Sequence, residues 1–302
     1  MNDALKALPV VTPAESKASC CGPDCCSDTP KVTDVADVRT VVREKYGAVA
    51  EGTQNSCGCC APGDVDAVLL QLGYTKEQAA ALPEGANLGL GCGNPLAHAS
   101  LKAGEVVLDL GSGAGIDCFL AAREVGPTGR VIGVDMTPSM LEKARANATK
   151  VGITNTEFRL GEIEHLPVAD ASVDVIISNC VVNLSPDKPQ VFREAFRALK
   201  RGGRLMLSDL VLTKPLSAEM QNDVSLYVGC IAGASLETDY LRMISEAGFT
   251  NVDVQARGRY EVGMESLAEG SPEREAFDSV VSVKVQAFSR DACLTPEGRP
   301  GR

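Results

Sequence analysis

The rhythm of hydrophobic and polar positions changes near residue 105. Downstream, short apolar runs bounded by turn residues alternate with stretches of helical period. Val106–Leu110, Arg130–Asp135, Thr156–Leu160, Val173–Asn179 and Arg204–Leu210 read as strands, and the short apolar run of the first, bounded by turn residues, suits a strand buried in a parallel sheet. Between them the spacing predicts helices over Ile116–Val125, Pro138–Lys150 and Lys188–Lys200. Thr137-Pro138 opens the second of these, Gly152 stops it, and Gly202-Gly203 stops the third. This alternation predicts an α/β fold, a doubly wound, Rossmann-like parallel sheet with right-handed crossovers.

The flanks read differently. Residues 1–30 carry Cys20, Cys21, Cys25 and Cys26 among Ser, Thr and Pro and read as a mobile Cys-rich tail. Residues 31–100 read as a helical segment with loops. Helices are expected over Asp34–Ala48 and Asp64–Leu72, and a capping box at Thr75 and Gln78 opens a third. Its two Gly- and Cys-rich loops hold Cys57, Cys59 and Cys60, and then Cys92. Residues 101–210 form the core. In 211–302, helices are expected over Ala218–Ile231 and Asp239–Ala247, with strands over Val252–Gln255 and Ser279–Phe288. These C-terminal elements either extend the sheet or form a small α+β lobe.

Composition narrows the function. Of 302 residues, 29 are Lys or Arg and 40 are Asp or Glu, a net charge of −11 that gives no global field for nucleic acid or anionic membranes. No stretch approaches the roughly 18 apolar residues of a membrane span, and Leu8–Val11 is too short for a signal-peptide core. A cytoplasmic location is therefore expected. In that reducing compartment 12 cysteines read as metal-binding, catalytic or redox groups rather than as a disulfide scaffold.

The first strand runs into Asp109-Leu-Gly111-Ser112-Gly113-Ala-Gly115. Glycines here let the backbone approach a ligand and aim helix N–H groups at it. Asp135, at the end of the second strand, suits a ribose diol. The pair Val107–Gly115 and Gly133-Val-Asp135-Met136 resembles the motif pair of class I S-adenosylmethionine-dependent methyltransferases. That resemblance implies S-adenosylmethionine as cofactor, with the glycine turn on its methionine part, Asp135 on the ribose and Met136 on the adenine. It further implies an adenine-contacting loop at Glu162-Ile163, and Asn179 facing the methionine moiety and the transferring methyl.

The acceptor must come from elsewhere in the chain. Transfer to oxygen or nitrogen usually needs a base, and only His98 and His165 are obvious neutral-pH bases. A soft acceptor with its own lone pair needs none. Cys92 lies between Gly91 and Gly93, Cys180 follows the fourth strand and Cys230 follows Gly229. They are dispersed singly, unlike the paired cysteines of a zinc ribbon, and thiolates select soft thiophilic ions. Cys118 and Cys293 read as structural or incidental.

The runs Val42–Gly47, Pro83–Pro95, Gly161–Pro167 and Ser178–Lys188 resemble arsenite methyltransferases, and the similarity covers about Val42 to Phe288. The resemblance implies transfer of methyl groups to thiol-bound arsenic(III), in arsenic detoxification. It implies arsenic at Cys92, Cys180 and Cys230, with a fourth cysteine at Cys60 or, close behind, Cys59. It further implies that Cys60 and Cys92 form a disulfide after transfer, and that thioredoxin or glutathione restores the thiols. Arsenite or its thiol conjugates are the expected substrates, and a monomer is the expected state. Competing readings are a class I methyltransferase of a small, quinone-like molecule and a non-catalytic, thiol-based metalloid-binding protein. The tail cysteines either deliver arsenic or are passive.

Overall fold

The structure is a computed structural model that describes residues 32, 38–53, 65–260 and 268–290. Cys20, Cys21, Cys25, Cys26, Cys57, Cys59, Cys60 and Cys293 lie outside the described residues. Strands β1 (Val106–Leu110), β2 (Arg130–Asp135), β3 (Thr156–Leu160) and β4 (Val173–Asn179) occupy their expected spans. With β5 (Leu199–Leu212), β6 (Thr250–Arg259) and β7 (Val280–Phe288) they form one seven-stranded sheet, ordered β3-β2-β1-β4-β5-β7-β6. The pairs from β3 through β5 are parallel; β7 runs antiparallel to both β5 and β6. Of the two arrangements open to the C-terminal strands, extension of the sheet is the observed one. Nine residue pairs between β5 and β7 seal the junction. The strand order reverses between β1 and β4, and the crevice beyond their carboxyl ends is where such sheets bind ligands.

Alternating side chains of each strand serve two cores. Leu108, Leu110 and Ile176 face a cluster completed by Phe192 of α6 (Lys188–Ala198) and Tyr240 of α9 (Glu237–Glu246). Val107, Val175 and Ile177 face the opposite cluster, with Phe119 of α4 (Ile116–Val125) and Leu141 of α5 (Pro138–Val151). Helices therefore cover both faces, as the apolar strands require. The rings of Phe192 and Tyr240 meet edge to face at 5.5 Å.

Three expectations shift, each for a local reason. Helix α6 ends at Ala198 because Leu199 already pairs with Val173, and Gly202-Gly203 bulge out of β5 instead of stopping the helix. The helix expected over Ala218–Ile231 is broken into α7 (Ala218–Gln221) and α8 (Val224–Val228), because Asp223 turns to cap the Leu226 N–H. The turn after Asn94 is a 3₁₀ helix, Pro95–His98, rather than an α-helix. N-terminally, α1 (Val38–Ala50) packs on α5, while α2 (Val65–Gln71) and the Thr75-capped α3 (Lys76–Ala80) form one corner. The last helix, α10 (Pro272–Phe277), precedes β7.

Phe192 is 1 % exposed and sits in the larger cluster. Phe192→Ala is expected to cost about 3–5 kcal/mol by leaving a cavity, read as a lower urea midpoint with an unchanged slope.

Candidate active site

The turn after β1 is built from backbone conformations that side chains resist. Gly111, Gly113 and Gly115 have φ of 69°, 51° and 98°. A methyl group added at Gly111 would lie 2.5 Å from Val181, and one at Gly115 would lie 2.7 Å from the Phe119 ring. Asp135 binds the turn to the end of β2. Its carboxylate accepts from the Gly113 N–H at 2.9 Å and the Thr137 N–H at 2.8 Å. The buried Ser112 hydroxyl has no hydrogen-bond partner among the described residues. Asp109 and Asp117 are 2 % and 6 % exposed beneath the turn. No Lys, Arg or His among the described residues pairs with either. Burial pushes both carboxyls up, Asp117 to about 6. An unpartnered hydroxyl, two buried acids without a cation and a bare glycine cradle fit a cationic, hydroxyl-bearing cofactor such as S-adenosylmethionine.

Met136 is half-buried and Ile163 is buried close by. Glu162 is engaged by α1, through Arg39 at 3.2 Å and Arg43 at 3.7 Å. Asn179, expected to face the methionine moiety and the transferring methyl, is the last residue of β4 and engages the Cys92 loop. Its Oδ1 accepts from the Cys92 N–H at 3.1 Å, and its Nδ2 donates to Gly93 O at 2.8 Å. Tyr74 and Asp117 also lie within reach of Nδ2, at 3.0 and 3.2 Å. The side chain is thus spent on the loop that carries Cys92.

Cys92, Cys180 and Cys230 converge on one apolar cluster beyond the carboxyl ends of β4 and β5. All three are buried. Cys92 and Cys180 are joined as a disulfide, with Cα atoms 5.7 Å apart. The Cys230 thiol donates to Cys180 O at 3.0 Å. Cys180 and Cys230 adopt φ of 62° and 65°, the left-handed region that L side chains avoid. Such strain gathers at functional sites. The fourth expected cysteine, Cys60 or Cys59, lies outside the described residues, and with it the expected Cys60–Cys92 pairing. Among the described residues, a disulfide joins Cys92 to Cys180.

Polar groups line this apolar pocket, and the sequence reading missed them. Asp209 is 1 % exposed, and its carboxylate and the sulfurs of Cys92 and Cys180 lie within 4.8 Å of one another. It accepts from Tyr240 at 2.9 Å, from Asn183 at 2.8 Å and from the Leu210 N–H at 2.9 Å. Burial pushes it up to about 7, against the pull of these donors and of the nearby Lys188 ammonium. Burial and the neighbouring Asp209 push the Cys230 thiol up, while Tyr46 and Lys188 oppose them. The signal for Asp209 was available: it is the lone acid in the apolar run Leu205–Leu212. His165 is exposed, and His98 is half-buried at the end of its 3₁₀ turn.

Two outcomes are expected. Gly111→Ala should abolish cofactor binding measured by calorimetry, because Val181 blocks the added methyl. For Asp209 the sign follows from its raised pKa. The folded state holds a proton that the unfolded state loses near pH 4, so the stability present below pH 4 is lost as pH rises through about 7. Asp209→Asn should therefore flatten the decline of the urea midpoint across that window.

A methyltransferase-domain family model matches residues 101–248. An arsenite methyltransferase of Halobacterium salinarum is 46% identical over 265 residues, 84% of this chain and 67% of that protein. One from Aquipseudomonas alcaligenes is 41% identical over 70% of this chain and 61% of its own length. The chain thus spans about two thirds of the length of these relatives. The crystal structure of an arsenic(III) S-adenosylmethionine methyltransferase from Chlamydomonas reinhardtii superposes with a TM-score of 0.58, at 31% identity over 78% of this chain and 76% of that one. No helix among the described residues is long and apolar enough to cross a membrane. The glycine turn tied to Asp135, the three convergent cysteines and these similarities agree: the chain belongs to the family of S-adenosylmethionine-dependent arsenite methyltransferases.

Proposed function

We propose that this chain binds arsenic(III) through Cys92, Cys180 and Cys230 and methylates it, the fourth cysteine of the cycle being Cys60 or Cys59. The observation that carries the reading is the meeting of three cysteines, far apart in sequence, in one buried pocket beside the cofactor turn. Asp109, Gly111, Ser112, Gly113, Gly115, Asp135, Met136, Glu162, Ile163 and Asn179 would hold S-adenosylmethionine. When bound, that cofactor supplies an electrophilic methyl group on a sulfonium.

The protein's own groups do the rest. Each thiol gives its proton to a departing arsenic hydroxyl, so three thiols and arsenous acid yield three As–S bonds and three waters. Three sulfurs leave arsenic its lone pair, and the pocket fixes the direction of that pair. Orientation of this kind supplies much of the acceleration. The apolar walls, Val42, Leu210, Leu226, Tyr227 and Ile231, exclude water. The Lys188 ammonium and the Tyr46 hydroxyl face Cys230 and favour its thiolate. Methylation withdraws the arsenic lone pair. The fourth thiol, Cys60 or Cys59, then attacks the arsenic-bound sulfur of Cys92: an S–S bond forms, the As–S bond to Cys92 breaks with its electron pair returning to arsenic as the lone pair, and the thiol proton goes to solvent.

The Cys92–Cys180 bond supports this redox part, since two sulfurs of the proposed arsenic set are close enough to join. Before arsenic can use them, an external dithiol or glutathione must open that bond by exchange. A thioredoxin or glutathione system in the cytoplasm suits this need, as does a monomer, because every group named comes from one chain. Arsenite and its glutathione conjugates are then equivalent donors of arsenic to the thiols.

The test is incubation with arsenite, S-adenosylmethionine and reduced thioredoxin or glutathione, with arsenic species separated and detected by element. Methylated arsenic should form only with both cofactor and reductant. Cys180→Ser and Cys230→Ser should each fall to background. Full activity in either variant refutes the ligand set.

A further inference from the structure

Two buried polar systems meet at Asn179, and their meeting has no role in the chemistry above. The first belongs to the cofactor turn. Asp117, the second residue of α4, stands two positions after Gly115, and the Tyr74 hydroxyl donates to its Oδ1 at 2.8 Å. The second holds the arsenic loop. Asn179 binds both sides of Cys92, accepting from its N–H and donating to Gly93 O. From β7, Ser282 donates to Cys92 O at 2.8 Å. Tyr74 is 4 % exposed and comes from the turn between α2 and α3, outside the sheet.

The amide of Asn179 is over-subscribed. Its Nδ2 carries two hydrogens, yet three acceptors lie within reach: Gly93 O at 2.8 Å, Tyr74 Oη at 3.0 Å and Asp117 Oδ2 at 3.2 Å. Two of the three can be served at once, so the network has alternative arrangements of similar geometry. Asp117 decides between them, because its carboxylate is buried without a cation among the described residues. A cationic cofactor on the adjoining turn attracts that carboxylate. Asn179 is then released to Gly93 and Tyr74, which fixes the Cys92 loop.

We propose that Tyr74 is a positioning residue which, through Asp117 and Asn179, couples occupancy of the cofactor turn to the geometry of Cys92, so that cofactor and arsenic bind cooperatively. This rests on the assignment of Cys92 to the arsenic set. A difference in arsenic affinity between the two arrangements is what allows the cofactor to shift the balance. The coupling must also be reciprocal, arsenic raising cofactor affinity by the same factor. Tyr74→Phe keeps the ring in its core position and removes only the hydroxyl that ties Asp117 to Asn179.

The experiment measures binding, not turnover. Reduced wild-type protein is titrated with arsenite by equilibrium dialysis, with and without sinefungin, a non-transferring cofactor analogue bearing an amine in place of the sulfonium. Sinefungin should tighten arsenite binding by roughly tenfold, within the usual range of coupling between sites. Arsenite should tighten sinefungin binding equally. In Tyr74→Phe each ligand should still bind alone, within about threefold of wild type, while the coupling factor falls to about one. Asp117→Asn, which keeps shape and removes charge, should also abolish coupling and serves if Tyr74→Phe does not fold. Undiminished coupling in either folded variant overturns the proposal. So does independent or antagonistic binding in the wild type when both ligands bind. Failure of arsenite to bind the reduced wild type at all instead overturns the arsenic reading on which the proposal rests.

Discussion

A single backbone hydrogen bond sets the register on which the site depends. Where β4 ends, Asn179 lies opposite Ser208 of β5, and the Cys180 N–H donates to Ser208 O at 2.8 Å. That pairing puts Cys180 beside Asp209 and seats the Gly91–Gly93 loop against Ser208. A slip of one residue would exchange the two faces of β5 and carry Asp209 away from the sulfurs. The loop has little room to compensate, because a side chain at Gly93 would collide with the Ser208 hydroxyl. The chemistry is thus fixed by strand geometry more than by the loops that display it.

Much of this was legible in the sequence, for reasons that are local. Strands β1, β2 and β4 are rich in apolar residues, and the glycine turn with Asp135 has a spacing that suits close ligand approach. The start of the helix at Lys188 follows from its helical spacing, and the Thr75 capping box follows from cap chemistry. What escaped depended on distance. Tyr74 and Ser282 lie in separate segments, and nothing in their neighbours announces that they reach Asp117 and the Cys92 loop. Asn179 carried a motif-based expectation, yet its amide is engaged by a loop more than 80 residues upstream. The joining of β7 to β5 rests on long-range pairing that alternation alone cannot assign to a partner.

The interior carries an unusual load of acid. Asp109, Asp117 and Asp209 are all nearly inaccessible, and each is pushed up by burial. A well-packed apolar residue at any of these positions would avoid the desolvation cost. Their persistence makes sense where a positive charge arrives with the cofactor, or where a carboxylate must face thiols. Hydrogen bonds from Tyr74, Tyr240 and Asn183 soften that cost without removing it. The apolar clusters on the two sheet faces offset what remains.

The left-handed backbone at Cys180 and Cys230 has a consequence for anyone who engineers this protein. Glycine tolerates that conformation freely, and cysteine does not. A library of the reduced protein sorted only for relief of backbone strain would therefore favour glycine at 180 and 230 and lose the thiols in the process. Selection for robustness and selection for arsenic chemistry pull these two positions in opposite directions, so any stabilisation campaign must hold them constant.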